Sequence, residues 1–284
     1  LILTGNYFDG SLRAQNLDNA KVEDAVIAHH GRVLCVGVCE TERFVVTGGT
    51  DCLVTVWVLG GASDIRDEML DLFGAPDLSR SSGASGPAGA DDGSSIEHKG
   101  LLNVVRKLTG HNAPVTSVAV SRGMAVVASG SERGQVLVHG LDSGQFLRTL
   151  FPAPLEAPIS AVQIGRNTGN IVVHSKSART FYSFTINGAT LSQGAGRHAS
   201  HSLVVCYVNG AGAELVVSGE EDGALHFRRT NDLAAPARMV QIFQAGVPIR
   251  SVALNPSGSA ILAGSERGSL TILQLSEVVK TLEV

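Results

Sequence analysis

The chain contains histidine, hydroxyl and carboxylate residues in two sets with the same spacing. The first set is His29, Thr47, Asp51 and Trp57, and the second contains His111 and Ser129. A histidine, a hydroxyl and an aspartate are the groups of the hydrolytic triad. Thr47, however, lies in an alternating apolar stretch rather than in the Gly-x-Ser-x-Gly turn that exposes a catalytic serine. We therefore predict a structural hydrogen-bond network and no catalytic residue.

Both sets belong to a longer repeat. In each copy a small residue and a glycine end one strand, a polar turn follows, and an alternating strand comes next. The copies begin at Thr47, Ser129, Ser218 and Ala263. Gly219 and Gly264 lie about 45 residues apart, and a period of about 40–45 residues with four short strands is typical of a β-propeller.

This period divides the chain into about six units. The first unit is incomplete, because Leu1–Thr4 matches the second strand of a unit. One unit lacks the repeated phrase, and we predict that Ile171–Ser175 and Thr180–Phe184 supply its strands. We thus expect residues 1–284 to form an all-β propeller of four-stranded blades. We also expect the chain to be a fragment of a larger protein whose ring has seven blades.

Composition narrows the classes of partner. The net charge of −4 gives no sign of nucleic-acid binding, and no apolar run is long enough for direct membrane insertion. The four cysteines lack the paired spacing of a metal site, so we predict no metal and no cofactor. Few cysteines in a chain of 284 residues favour a reducing, cytoplasmic location.

The motifs resemble the WD-repeat family. Leu108–His111 is similar to its Gly-His element, and Val56 with Trp57 is similar to its closing strand. The resemblance implies a buried chain of His, Ser or Thr, Asp and Trp within a blade. Later units depart from this pattern at the Asp and Trp positions, where they have Arg133, His139, Arg228, Arg267 and Leu273. We therefore expect only the second unit to have the complete polar chain and the others to depend mainly on apolar packing.

The order of several segments is similar to the C-terminal propeller of BEACH-domain proteins of the neurobeachin and beige group. These segments are Leu3–Arg13, Thr47–Asp51, Leu108–His111, Phe181–Gly188 and Gly264–Ser269. The resemblance implies a BEACH domain and a PH-like module upstream in the same chain. It also implies a scaffold in vesicle traffic and membrane-protein sorting, peripheral on endomembranes through the parent protein.

Residues 60–100 interrupt the second unit. Asp64–Phe73 has apolar residues at the spacing of a short amphipathic helix, and Ser79–Ser95 is rich in Gly, Ser, Ala and Asp. We predict a flexible or disordered insert, because this composition buries too little apolar surface to become ordered. Its Asp-Leu-Phe sequence is an alternative partner motif.

Three functions are compatible with these patterns. The one we favour is a non-enzymatic scaffold that binds other proteins, and the others are a hydrolase or lyase with an active site in the channel and a WD-repeat scaffold of another complex. The first strand of each unit, such as Leu203–Val208, is apolar and contains no carboxylate or histidine, which argues against a channel active site. We predict that partners bind the turns on the rim that carries His29, at Glu132, Arg133, Glu221, Asp222, Glu266 and Arg267. Glu220–Asp222 is interpreted as a solvated acidic edge, with which Arg228 and Arg229 could pair.

Overall fold

The computed structural model describes residues 1–60, 100–152, 156–175, 177–196, 200–208, 213–255 and 257–276. The insert expected at 60–100 therefore lies outside the described residues except at its two ends, as does the segment 277–284. Within the described ranges, no helix has both the length and the apolar character needed to cross a membrane.

The described residues form short strands joined by tight turns. In chain order they are β1 (Ile2–Thr4), β2 (Ser11–Gln15), β3 (Val22–Ile27), β4 (Val33–Val38), β5 (Phe44–Gly49), β6 (Val54–Leu59), β7 (Leu102–Leu108), β8 (Val115–Ser121), β9 (Val126–Ser131), β10 (Val136–Gly140), β11 (Phe146–Leu150), β12 (Ile159–Ile164), β13 (Ile171–Ser175), β14 (Thr180–Phe184), β15 (Thr190–Ala195), β16 (Ser200–Val208), β17 (Ala213–Glu220), β18 (Ala224–Arg229), β19 (Arg238–Gln241), β20 (Ile249–Leu254), β21 (Ala260–Ser265) and β22 (Leu270–Gln274).

These strands pair into successive antiparallel sheets, which we call the first to sixth blades. The first blade is β1-β2-β3, the second β4-β5-β6-β7, the third β8-β9-β10-β11, the fourth β12-β13-β14-β15, the fifth β16-β17-β18-β19 and the sixth β20-β21-β22. In the described residues, the first and sixth blades thus have three strands and the others have four. The all-β, repeated architecture expected from the sequence is confirmed.

The fourth blade has the same form as its neighbours although its sequence lacks the repeated phrase. Ile171 pairs with Phe184 and Ser175 with Thr180, as in an ordinary hairpin. The turn into β15 includes Gly188, whose φ of 88° is in the left-handed region that glycine favours. The prediction that Ile171–Ser175 and Thr180–Phe184 supply strands of this blade is therefore correct.

The first strand of each blade from the second to the sixth is called its inner strand. These inner strands, β4, β8, β12, β16 and β20, contact one another in order. The fifth of these begins at Ser200, earlier than the predicted Leu203, and so it includes His201. The expectation that the inner strands contain no histidine was therefore wrong for β16.

The core lies between blades rather than inside any one of them. Leu12 of the first blade packs in one cluster with Val45 and Trp57 of the second. Further clusters join the second blade to the third, the third to the fourth, the fourth to the fifth and the fifth to the sixth. Because burying apolar surface yields about 25 cal/mol per Å², each blade gains most of its stability from its neighbours.

The glycine of the repeated phrase marks the place where two blades come closest. A Cβ atom added to Gly48 would lie 2.6 Å from Cγ1 of Val115, the first residue of the next inner strand. At Gly130 it would lie 2.5 Å from Cγ2 of Ile159, and Gly219 faces Ile249 in the same way. The repeat therefore keeps glycine there because a β-branched side chain of the next blade occupies the space.

We predict that Gly130→Ala lowers the free energy of unfolding by about 1–3 kcal/mol, because the new methyl group would overpack the contact with Ile159. Gly264→Ala is the matched control, since the Cβ there would lie 2.6 Å from Oγ of Ser251 in its own blade, a small hydroxyl that can rotate away, and would meet no residue of another blade in the described part of the chain. Urea unfolding of both variants measures the difference. Equal losses in the two variants would show that contact with the next blade does not explain the glycine.

Candidate functional site

The second blade brings together the four residues of the first polar set. His29 contacts Asp51 through Nδ1 and Thr47 Oγ1 through Nε2, both at 2.9 Å. The indole Nε1 of Trp57 donates to the same Thr47 oxygen at 3.0 Å. Because ionised Asp51 can only accept, Nδ1 of His29 carries the proton and Nε2 accepts from the Thr47 hydroxyl. The four side chains thus form one continuous hydrogen-bond chain.

Asp51 also holds the turn in which it lies. Its carboxylate accepts from the backbone amides of His30 at 2.9 Å and Leu53 at 3.2 Å. Burial raises the pKa of Asp51, but these hydrogen bonds and His29 outweigh it and keep the pKa below its usual value. Burial lowers the pKa of His29, and the neighbouring carboxylate only partly opposes this. The histidine therefore stays neutral at neutral pH.

This geometry leaves no nucleophile available. Thr47 is 0% exposed, its proton is directed to His29 and its oxygen accepts from Trp57. A substrate carbonyl has no path to such an oxygen. The chemistry open to the group is to satisfy buried polar atoms and fix a turn.

The third blade has a shorter version of this chain. His111 Nε2 lies 2.8 Å from Ser129 Oγ, but Arg133 stands exposed where the second blade has its aspartate. His139 occupies the Trp position and donates from Nε2 to the carbonyl of Thr109 at 3.1 Å. Burial, and then the charge of His139, lowers the pKa of His111 to about 4.

The fifth blade contains a buried charged network, in which an arginine of β18 pairs with the acidic cluster. Arg228 stands at the Trp position and donates to Ser218 Oγ and Glu220 Oε1, each at 2.7 Å. Glu220 is 0% exposed and Arg228 2%. Nε2 of His226 contacts Asp222 at 2.9 Å. The expectation that Glu220 belongs to a solvated edge was therefore wrong, and a buried ion pair adds to the apolar packing of this blade.

The substitutions in the fifth blade compensate one another. In the second blade, a Cβ added to Gly49 would lie 2.6 Å from the ring of His29. Glu220 holds the position of Gly49 in the repeat, and its carboxylate binds Arg228 there. The guanidinium of Arg228 also lies 4.5 Å from the ring centroid of Phe181 in the fourth blade. The ion pair therefore also joins two blades.

Further buried polar contacts lie on the opposite rim, at the turns that follow the inner strands. Glu214 of the fifth blade accepts from Thr168 at 2.6 Å and Asn170 at 3.2 Å of the fourth, and burial raises its pKa. Glu40 of the second blade similarly accepts from Ser121 at 3.1 Å and the amide of Gly123 at 2.9 Å in the third. No repeated motif marks these carboxylates, so the sequence did not reveal them.

A cavity of about 140 Å³ lies among the ends of the inner strands. Its lining includes Glu40, Gln163 and Arg166 beside apolar residues. Glu40 is already bound by the third blade, as described above. Among the residues that the structure describes, no cluster of His, Cys, Asp or Glu has the arrangement of a metal site.

Comparison with known proteins agrees with this architecture. The sequence profile of the WD domain, G-beta repeat, matches residues 22–58 and 102–139. The structure of U3-55K covers 96% of the chain with a TM-score of 0.69 at 15% identity, and the match covers 73% of that protein. The crystal structure of RRP9 WD40 repeats matches equally well, with 72% of that protein covered. The chain is a WD-repeat β-propeller.

The sequence of this propeller is similar to BEACH-domain proteins, as its motifs indicated. It is 25% identical over 276 residues to a putative neurobeachin homolog of Caenorhabditis briggsae. This match covers 95% of the chain and 9% of the relative. It is 30% identical over 192 residues to Protein SPIRRIG of Arabidopsis thaliana, and this match covers 67% of the chain and 4% of the relative. BEACH domain-containing protein B of the same plant is 24% identical over 279 residues, and this match covers 97% of the chain and 10% of the relative. The propeller thus spans a tenth or less of these relatives.

The six rim residues named from the sequence lie in three equivalent turns of the propeller. Glu132 and Arg133 are exposed, as are Glu266 and Arg267, while Glu221 and Asp222 are half-buried. The amides of Glu132 and Glu266 donate to the carbonyls of Pro114 and Pro248, so these turns adjoin the loops between blades. Asp222 differs from the others because His226 and the amide of Ala224 already engage its carboxylate.

We predict that Arg228→Met lowers the free energy of unfolding by about 3–5 kcal/mol, because it leaves the Glu220 charge buried without its partner. Arg229→Met, one residue further on and exposed, should cost about 0.5 kcal/mol or less. The double variant Glu220→Gln with Arg228→Met should recover part of the loss. Chemical unfolding measures all three, and a double variant at least as unstable as Arg228→Met alone would contradict the coupling.

Proposed function

We propose that this propeller is a non-enzymatic scaffold for protein–protein interaction. The main support for this proposal is that the polar residues of the propeller are of two kinds. Those that resemble a catalytic set, such as His29 and Thr47, are buried and bound to one another. Those on the rim, such as Arg133 and Glu266, are exposed at the tips of turns. Rigid blades that present variable turns are suited to recognition.

The alternative of an active site in the channel receives less support. The inner strands present mainly apolar residues, and Glu40 at the cavity is held by two hydrogen bonds that lower its pKa despite its burial. A general base would instead need a pKa near the working pH. The carboxylate is therefore better suited to joining two blades than to transferring protons.

We further propose that the propeller belongs to a BEACH-type protein that acts in vesicle trafficking and membrane-protein sorting. Its similarity to the neurobeachin homolog and to BEACH domain-containing protein B, across nearly its whole length, supports this assignment. In such a protein, BEACH and PH-like domains lie upstream in the same chain. The propeller then works in the cytoplasm and meets endomembranes through that parent.

We propose that partners bind the rim containing the turns at Glu132, Glu221 and Glu266 rather than the opposite rim. These turns combine acidic and basic side chains around a rigid ring, and such mixed charge favours specific orientation of a partner. The ion pair of Arg250 with Glu266 at 2.8 Å is exposed and therefore open to exchange with a partner's charges. The insert between β6 and β7 leaves the propeller from the other rim.

Affinity capture from cell extract tests this proposal with two variants. One carries Ala at Glu132, Arg133, Glu266 and Arg267, which leaves the hydrogen bonds of Asp222 intact. The other lacks residues 62–98. We expect the first variant to lose most partner proteins identified by mass spectrometry and the second to keep them. Partners that survive the first change and vanish with the deletion would place binding on the opposite rim.

A further inference from the structure

Phe8 has the most exposed large apolar side chain in the part of the chain that the structure describes. It lies in the turn between β1 and β2 and is 89% exposed. This turn is equivalent to the one that contains Asp51, so Phe8 stands on the rim proposed above for partner binding. An exposed aromatic ring on a rigid turn is a frequent anchor of protein interfaces.

The turn that carries Phe8 is held in place by its own hydrogen bonds. The amide of Gly10 donates to the carbonyl of Tyr7 at 3.2 Å, and the carbonyl of Gly10 accepts from Ala28 at 3.0 Å. Gly10 has a φ of 72°, and a Cβ there would collide with the carbonyl oxygens of His29 and Gly31. The ring is thus presented from an ordered backbone, which lowers the entropy lost on binding.

A guanidinium group lies beside this ring. The Cζ atom of Arg32 is 4.5 Å from the centroid of the Phe8 ring. The backbone of Arg32 is fixed to Thr50 by two hydrogen bonds, each at 3.0 Å. The cation and the aromatic ring therefore form one preorganised pair.

The carboxylates that follow Phe8 and Thr50 in the sequence are engaged elsewhere. Asp9 accepts from the amide of Ser11 at 2.9 Å and from Arg13 at 3.4 Å. Asp51 is bound by His29 and by the amide of His30. Within the described ranges, no carboxylate is bound to Arg32, whose side chain is exposed. The propeller thus presents an apolar ring beside a cation whose charge is not neutralised.

We propose that Phe8 and Arg32 form a docking site for a protein segment in which a carboxylate stands next to an apolar side chain. The carboxylate binds the guanidinium, which suits bidentate hydrogen bonding, and the apolar group covers the phenyl ring. This inference rests on the proposed function and names the chemistry of its partner. Nucleic acid and anionic membranes fit less well, because they are bound by several cations together and the chain has a net charge of −4.

A binding assay with defined probes tests the site. The probe is a short fluorescein-labelled peptide in which aspartates alternate with leucines, and its analogues have asparagine for aspartate or serine for leucine. Fluorescence polarisation is measured for the unchanged protein, Phe8→Ser and Arg32→Gln. The matched controls are Phe146→Ser, where the ring is 56% exposed on the opposite rim, and Arg43→Gln, an exposed arginine on that same opposite rim.

We expect saturable binding of the aspartate–leucine peptide that weakens at least about tenfold in Phe8→Ser and in Arg32→Gln and less than about twofold in the controls. Both analogue peptides should also bind at least about tenfold more weakly. Absence of binding, or equal binding by all variants, would overturn the proposal. Binding to phosphatidylserine vesicles that requires Arg32, without peptide binding, would assign the site to membranes instead.

Failure of the docking site can be distinguished from failure of the scaffold proposal. If partner capture depends on the charged turns but not on Phe8 or Arg32, the docking site is wrong and the scaffold proposal stands. If capture depends on neither rim while the peptide still binds at Phe8, the scaffold proposal fails and the local site remains. Melting temperatures unchanged in Phe8→Ser and Arg32→Gln would show that both variants are folded.

Discussion

The packing of each blade against the next is the interaction on which the rest of the structure depends. A blade of three or four short strands has two faces, and the apolar side chains of both become buried only between neighbours. Close approach is possible because glycine stands where the first residue of the next inner strand would meet a side chain, as at Gly130 and Ile159. The glycine of the repeated phrase is thus explained by contact between neighbouring blades.

Close packing requires the polar atoms of the turns to be satisfied internally, and the blades achieve this with different residues. The second blade uses a neutral chain from Asp51 to Trp57, whereas the fifth uses the ion pair of Arg228 with Glu220. Both place polar side chains beneath the same kind of turn. The requirement is therefore the saturation of buried groups, and the residues that meet it vary. The charged side chains at the tips of the turns at Glu132 and Glu266 remain exposed.

The sequence predicted the fold well because strand alternation and turn residues recur with a fixed period. It located even the fourth blade, whose phrase is absent, since Ile171–Ser175 and Thr180–Phe184 alternate as strands do. It also predicted which residues meet around Thr47. It failed at Glu220, because an acidic residue in a turn usually faces water, and only the pairing of β17 with β18 brings Arg228 to it. The sequence did offer Arg228 as a partner of the cluster, and its place at a position that alternation buries was the signal that the pair is buried, since such a charge requires a partner.

The polar chain of the second blade stabilises the fold by satisfying buried hydrogen-bond donors. The most direct measurement compares the unfolding free energies of Asp51→Ala and Arg133→Ala, which change equivalent turn positions in two blades. Loss of Asp51 leaves His29 and two backbone amides without their acceptor, so we predict a loss of about 1–3 kcal/mol. Arg133 is exposed, and its replacement should cost about 0.5 kcal/mol or less. Equal losses in the two variants would contradict the account.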